Sequence, residues 1–342
     1  IDEINAAGGV NGRPIRLIVE DDQSRPELAA NAVSKLISQD GVVALLGEVA
    51  SSSSLAAAPF AQSNQVPMIA TSSTNPALTR VGDYIFRMSY TDPYQGETLA
   101  NYIAGDLGLR RAALLVDVKS DYSTGLAEFF ERAYVSAGGT IVARQSYAEG
   151  DNDFRPQLTA IRAANPDIVF IPGYYNDIGP IAIQARELGI QQPLAGGDGW
   201  GSPKLIELGG KALEGAFYSD SYFSGDPDPR VQQFVTKYRE RYKRAPDALA
   251  ALGYDAANVL AAAIGRAAVK DRRSSAHRCC SRTPFAASGR VERSSQLRGL
   301  TCIPRNSACA RSASASRPWA LSARSSPKSD QPLAGNLARS RR

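Results

Sequence analysis

Four turns hold the residues of this chain that could do chemistry. Glu48-Val49-Ala50-Ser51-Ser52-Ser53-Ser54 follows the apolar run 42–47, and Thr71-Ser72-Ser73-Thr74-Asn75-Pro76 follows the run 66–70. Both read as turns at helix N-termini, where free backbone N–H groups and the helix dipole favour a carboxylate or phosphate. N-capping needs about one hydroxyl per helix. These turns carry more than that, so they predict an anion site. The other two turns differ: Gly173-Tyr174-Tyr175-Asn176-Asp177 follows 168–172, and Gly197-Asp198-Gly199-Trp200-Gly201 follows 193–196. Lys119-Ser120-Asp121-Tyr122 brings a further tyrosine to the same edge. One wall thus offers hydroxyls and amides, the other a carboxylate and aromatic rings. That pairing suits a ligand with both a carboxylate and an ammonium, an α-amino acid; Asp198 could also be a plain turn residue between glycines.

The elements that must position these turns occur twice. Arg25-Pro26-Glu27-Leu28 opens one set and Arg155-Pro156-Gln157-Leu158 the other; Gly47 and Pro67 lie 126 residues before Gly173 and Pro193. Ser72 is thereby set opposite Asp198. A further helix is expected near Pro76 in the first copy and near Pro203 in the second. Strands are predicted at 15–20, 42–47, 66–70, 112–117, 140–146, 168–172 and 215–219 from short apolar, β-branched runs. Ser24, Asp92, Ser202 and Asp228 stand before first-turn prolines as helix caps. After Asp228, the residues Val231, Phe234, Val235, Tyr238 and Tyr242 recur at helical spacing and are expected in the core. Strand–helix alternation with near-continuous apolar strands predicts an α/β fold of two similar doubly wound parallel-sheet lobes joined by a hinge. Lobe 1 is expected over 1–90 and 222–270, and lobe 2 over 91–221. Open parallel sheets bind ligands outside the carboxyl ends of their strands, where the four turns lie.

Composition bounds the function. Of 342 residues 43% are apolar, and no unbroken apolar run approaches a membrane span. Residues 271–342 hold 15 Lys+Arg against 3 Asp+Glu, leaving 24 against 31 in 1–270. The folded part is therefore mildly acidic, which excludes a nucleic-acid footprint there. The tail has 14 Arg and 15 Ser but one Lys, together with His277 and all four cysteines. A basic arm is one reading. A metal site is another, although Cys279, Cys280, Cys302 and Cys309 lack paired ligand spacing. The favoured reading is a segment read out of frame from GC-rich DNA, and not native family sequence.

The turns also carry a resemblance. Gly47-Glu48-Val49-Ala50-Ser51-Ser52, Ser72-Ser73-Thr74-Asn75-Pro76-Ala77-Leu78-Thr79, Asp121-Tyr122-Ser123-Thr124-Gly125-Leu126-Ala127, Gly173-Tyr174 and the opening Ile1-Asp2-Glu3-Ile4-Asn5-Ala6-Ala7-Gly8-Gly9 resemble the leucine/isoleucine/valine-binding proteins of bacterial ABC importers. The resemblance spans roughly residues 1–268 and implies a type I periplasmic-binding fold. It implies that Ser51, Ser72 and Thr74 hold a ligand carboxylate and that Asp198, where well-known members carry Glu, holds the ammonium. Tyr122 and Tyr174 would close over the ligand from the second lobe, with Tyr175 and Trp200 as specificity residues or supports. It further implies an extracytoplasmic protein, periplasmic or lipid-anchored, that acts as a monomer, docks on membrane permease subunits and uses no cofactor or metal. Two departures stand out. Leu249 sits where an aromatic wall residue is common, and the family's first strand has no counterpart. That strand is central in its lobe, so its neighbours are expected to show unpaired backbone groups, each costing about 1–3 kcal/mol if buried. Domain stability is only roughly 5–15 kcal/mol.

Rival functions fit less well. Gly197-Asp198-Gly199-Trp200-Gly201 lacks dinucleotide-binding spacing, and Gly210-Lys211 is followed by Ala212 rather than a phosphate-loop hydroxyl. A saccharide site would want more planar polar side chains and tryptophan. The remaining alternative is a sensor for amides or amino acids built on the same bilobed fold.

Overall fold

The computed structural model describes residues 1–267 and the backbone of 300–302. After α1 (Asp2–Ala6) the chain runs without regular structure to α2 (Pro26–Ser38). β1 (Leu45–Leu46), α3 (Ser51–Ser63), β2 (Met68–Ala70) and β3 (Ile85–Arg87) follow, and the three strands pair in parallel in the order β1-β2-β3. The chain then crosses to a second sheet. There α4 (Asp92–Asn101), β4 (Arg111–Asp117), α5 (Asp121–Ser136), β5 (Thr140–Tyr147), α6 (Arg155–Ala163), β6 (Ile168–Phe170), α7 (Tyr175–Glu187), β7 (Leu194–Gly196), α8 (Pro203–Gly209) and β8 (Phe217–Ser219) alternate. After a second crossing come α9 (Pro229–Tyr242) and α10 (Ala248–Arg266). A last strand, β9 (Leu300–Cys302), pairs antiparallel to β8 and completes the order β5-β4-β6-β7-β8-β9. Residues 268–299 and 303–342 lie outside the described residues, and with them most of the stretch expected to be foreign.

The second sheet is covered on both faces, as a parallel sheet must be. Side chains alternate along a strand. Ala113 and Leu115 of β4 accordingly join one core with Val169, Ile178 and Ile181, while Ala112, Leu114 and Val116 join the other with Phe130 and Phe170. The first sheet has its own core, built from Val33, Ile37, Ala57, Met68 and Ile85. α9 and α10 return to the start of the chain. Lys237 Nζ and Tyr254 Oη donate to Glu3 Oε2, each at 2.9 Å, and Asn11 Nδ2 donates to the Gly265 carbonyl. α10 is long and apolar enough to cross a membrane by length and composition, although Asp255 and Asn258 interrupt it.

Several expectations are corrected. Residues 15–20 form no strand, and Leu17 and Val19 are 58% and 77% exposed. A strand needs a neighbour's hydrogen bonds, and none runs beside this segment among the described residues. Near Pro76 only one 3-10 turn forms, at Leu78–Arg80, while the helix expected near Pro203 is α8. Ser202 and Asp228 do cap their helices, accepting from the backbone N–H of Lys204 and Arg230. Ser24 does not; Arg25 occupies the N-cap position of α2 without a side-chain bond. Asp92 lies inside α4, behind Thr91 at the N-cap, and turns into the interior. In α9 only Val235 is buried, and Tyr242 is 52% exposed, its ring tilted against that of Tyr238 with centroids 4.6 Å apart.

Candidate ligand-binding cleft

The turns after β1 and β2 are knitted to each other by their hydroxyls. Ser51 Oγ accepts from the Asn75 backbone N–H at 3.3 Å. Ser54 and Ser73 share a buried hydrogen bond, and Ser73 Oγ also donates to the Val49 carbonyl at 3.1 Å. Ser54 and Ser73 are therefore structural, and Ser51, Ser72 and Thr74 are left to line the cleft. Arg87 anchors this wall from behind. The residue is 8% exposed, and its guanidinium donates to the carbonyls of Ser73 and Asn75 at 3.0 and 2.8 Å, and to Thr79 Oγ1 at 3.2 Å. Ser89 Oγ donates to the same Ser73 carbonyl. With its carbonyls held inward, the turn presents hydroxyls outward, above a buried positive charge and next to the N-terminus of α3. Such an arrangement attracts an anion.

The facing wall is the turn after β7. The Asp198 backbone N–H donates to Gln95 Oε1 at 2.8 Å, and the Gly199 N–H donates to Tyr122 Oη at 3.0 Å. A Cβ on Gly199 would lie 2.5 Å from the Gly173 carbonyl oxygen, so only glycine fits there. Burial raises the Asp198 carboxyl to about 6, against the Gln95 amide and Tyr122 hydroxyl beside it, which favour its charged form. Its Oδ1 is buried with no hydrogen-bond partner, and so is Thr74 Oγ1 across the cleft. A buried polar atom without a partner costs about 1–3 kcal/mol. Asp198 Oδ1 is therefore poised for a group that a ligand would bring, while Thr74 Oγ1 has the Asp92 carboxyl beside it. Tyr122 and Tyr174 lie between the walls with ring centroids 5.1 Å apart, and the Tyr174 hydroxyl meets the Ser51 backbone N–H.

All six residues expected at the site line one cleft, together with Tyr175 and Leu249. Val49, Leu249 and the tyrosine rings make its apolar part. Trp200 does not line it. The indole is fully buried under Gly196 and donates Nε1–H to the Ile171 carbonyl at 3.0 Å. Sequence reasoning missed Arg87, Asp92 and Gln95. Asp92 is fully buried, and burial raises its carboxyl to about 7 although Thr74 and Gln95 beside it favour the charged form. Among the described residues no group of three His, Cys, Asp or Glu side chains could hold a metal ion.

Two parallel-sheet units facing one polar-ended cleft define a bilobed α/β binding fold. The chain belongs to the periplasmic binding protein family, whose profile matches residues 1–298, past the change of composition at 270. It is 30% identical to the leucine-specific-binding protein of Salmonella typhimurium over 78% of this chain and 72% of that one. It also resembles a crystal structure of a leucine binding protein from Thermotoga maritima (40% identity, TM-score 0.78, covering 81% of this chain and 79% of that one). A branched-chain amino acid transporter substrate binding protein from Streptococcus pneumoniae, solved in complex with isoleucine, is 32% identical with a TM-score of 0.77 at the same coverage.

Proposed function

We propose that this protein captures a branched-chain amino acid in the cleft and delivers it to an ABC importer outside the cytoplasm. The observation that carries this reading is the opposition of two chemistries. Asp198, half-buried with a buried carboxylate oxygen that has no hydrogen-bond partner, faces the hydroxyls of Ser51, Ser72 and Thr74 over the buried Arg87. In this reading Asp198 accepts the ligand ammonium, and the hydroxyl wall with the N-terminus of α3 holds its carboxylate. Val49 and Leu249 receive an aliphatic side chain, and Tyr122 and Tyr174 cover it. Residues 1–90 with 222–270 and residues 91–221 act as two lobes that close when one ligand touches both. The closed monomer then docks on permease subunits. It binds and releases its ligand unchanged, without a cofactor. The related transporter proteins favour this role over that of a sensor.

Isothermal titration of the full chain with leucine, isoleucine, valine, phenylalanine, acetamide and glucose tests the reading. Saturable binding of an aliphatic amino acid, absent for its deaminated acid, is expected. Binding of acetamide or glucose alone would overturn it.

A further inference from the structure

Gln95 sits where three parts of the molecule meet. It lies one turn into α4 and is 1% exposed. Its single Oε1 accepts from the Asp198 backbone N–H at 2.8 Å, from Ser219 Oγ at 2.6 Å and from Tyr90 Oη at 3.1 Å. Asp198 is the cleft carboxylate. Tyr90 lies on the first crossing between the sheets, and Ser219 ends β8 where the second crossing begins. A backbone N–H can only donate, so the Asp198 bond fixes which end of the amide is oxygen. The other end, Nε2, is buried without a hydrogen-bond partner and lies toward the Asp198 and Asp92 carboxyls, whose charged forms it favours.

We propose that Gln95 is the positioning residue of the cleft, holding Asp198 at the angle that receives the ligand ammonium and tying it to both crossings between the lobes. This rests on the reading of Asp198 as the ammonium acceptor. Gln95 itself does not touch the ligand; it does not line the cleft. It acts through the 197–199 turn, which packs so close that a Cβ on Gly197 would lie 2.4 Å from Tyr122 Oη and 2.9 Å from Gln95 Oε1. Movement of either crossing is thereby transmitted to the carboxylate, and a cation held at the carboxylate favours one setting of the crossings.

The test is leucine titration of the full chain from pH 5 to pH 8 for the parent, Gln95→Met and Ser219→Ala. Met fills a similar volume but cannot donate a hydrogen bond and accepts one only weakly, and Ser219→Ala frees the amide without enlarging the residue. Gln95→Met is expected to weaken leucine binding at least tenfold at pH 7.5. The acid limb of its affinity profile should also move to higher pH, because the Gln95 amide N–H group that lies toward Asp198 and favours its charged form is gone. Asp92, Asp220, Tyr90, Tyr122 and Tyr174 also face Asp198 and are unchanged in both variants. Ser219→Ala should show the same two changes at about threefold amplitude, and it carries the test if Gln95→Met does not fold. Affinity within twofold of the parent together with an unmoved acid limb in a folded variant overturns the proposal. Loss of affinity with an unmoved limb overturns it too, since that marks a packing role. Asp198→Asn with undiminished leucine affinity overturns the parent reading instead.

Discussion

Asp198 is the residue on which ligand capture turns. Removing one partner of a buried charge pair costs roughly 2–5 kcal/mol, so Asp198→Asn should weaken leucine binding by at least about thirtyfold in calorimetry. Below pH 6 the carboxyl takes up a proton, and affinity for an ammonium should fall even in the parent. Stability of the ligand-free protein should move the other way. Burial raises Asp198 to about 6 and Asp92 to about 7, and Glu48 and Asp177 also to about 7. A carboxyl raised on folding makes the native state bind more protons than the unfolded chain between its two pKa values. Stability therefore drops as pH rises from about 4 to about 7, and thermal unfolding midpoints should be higher at pH 5.5 than at pH 7.5. Four such carboxyls were not all visible beforehand. Asp198 stood out between glycines; Asp92, preceding a proline, read as a cap, because a sequence does not say whether a first-turn carboxylate faces water or core.

At the scale of elements, the duplicated pattern made the long strands and the four turns legible. Apolar runs such as Leu114-Leu115-Val116 are buried on both faces and can be little else. β3 escaped notice because three residues ending in arginine carry no alternation, and Arg87 was missed with it. Its side chain is nonetheless what holds the 73–75 carbonyls. Arg87→Met should remove the charge-assisted hydrogen bonds to the Ser73 and Asn75 carbonyls, which keep Ser89 Oγ and the Leu78 N–H as donors; the expected loss is about 1.5–3 kcal/mol in all, read as a lower urea midpoint with weaker leucine binding. Gly199→Ala forces a Cβ to 2.5 Å from the Gly173 oxygen. Its expected penalty is about 1–3 kcal/mol, as for other overpacked sites, and it should fall on ligand affinity as well as on thermal stability. The segment 15–20 shows the opposite limit. Its residues have strand character, but pairing belongs to two segments at once, and one run cannot report the lack of a neighbour.

On the scale of the whole molecule, the two halves touch through few polar contacts at the cleft mouth. Asn75 Nδ2 donates to the Asp121 carbonyl at 2.9 Å, and the Asp121 N–H donates to Ser52 Oγ at 3.0 Å. Removing both with Ser52→Ala and Asn75→Ala should favour an open form. Apparent affinity falls in proportion to the competent fraction, so a larger radius of gyration in X-ray scattering should accompany weaker leucine binding. The crowd of carboxyls around the cleft has one more consequence. A cation arriving beside Asp198 lowers the proton affinity of Asp198 and of Asp92 behind it, so capture at pH 6–7 expels hydrogen ions into the medium. The heat of binding should then depend on the buffer, differing between phosphate and imidazole in proportion to their ionisation enthalpies, and the slope of that dependence counts the protons that leave as the amino acid enters.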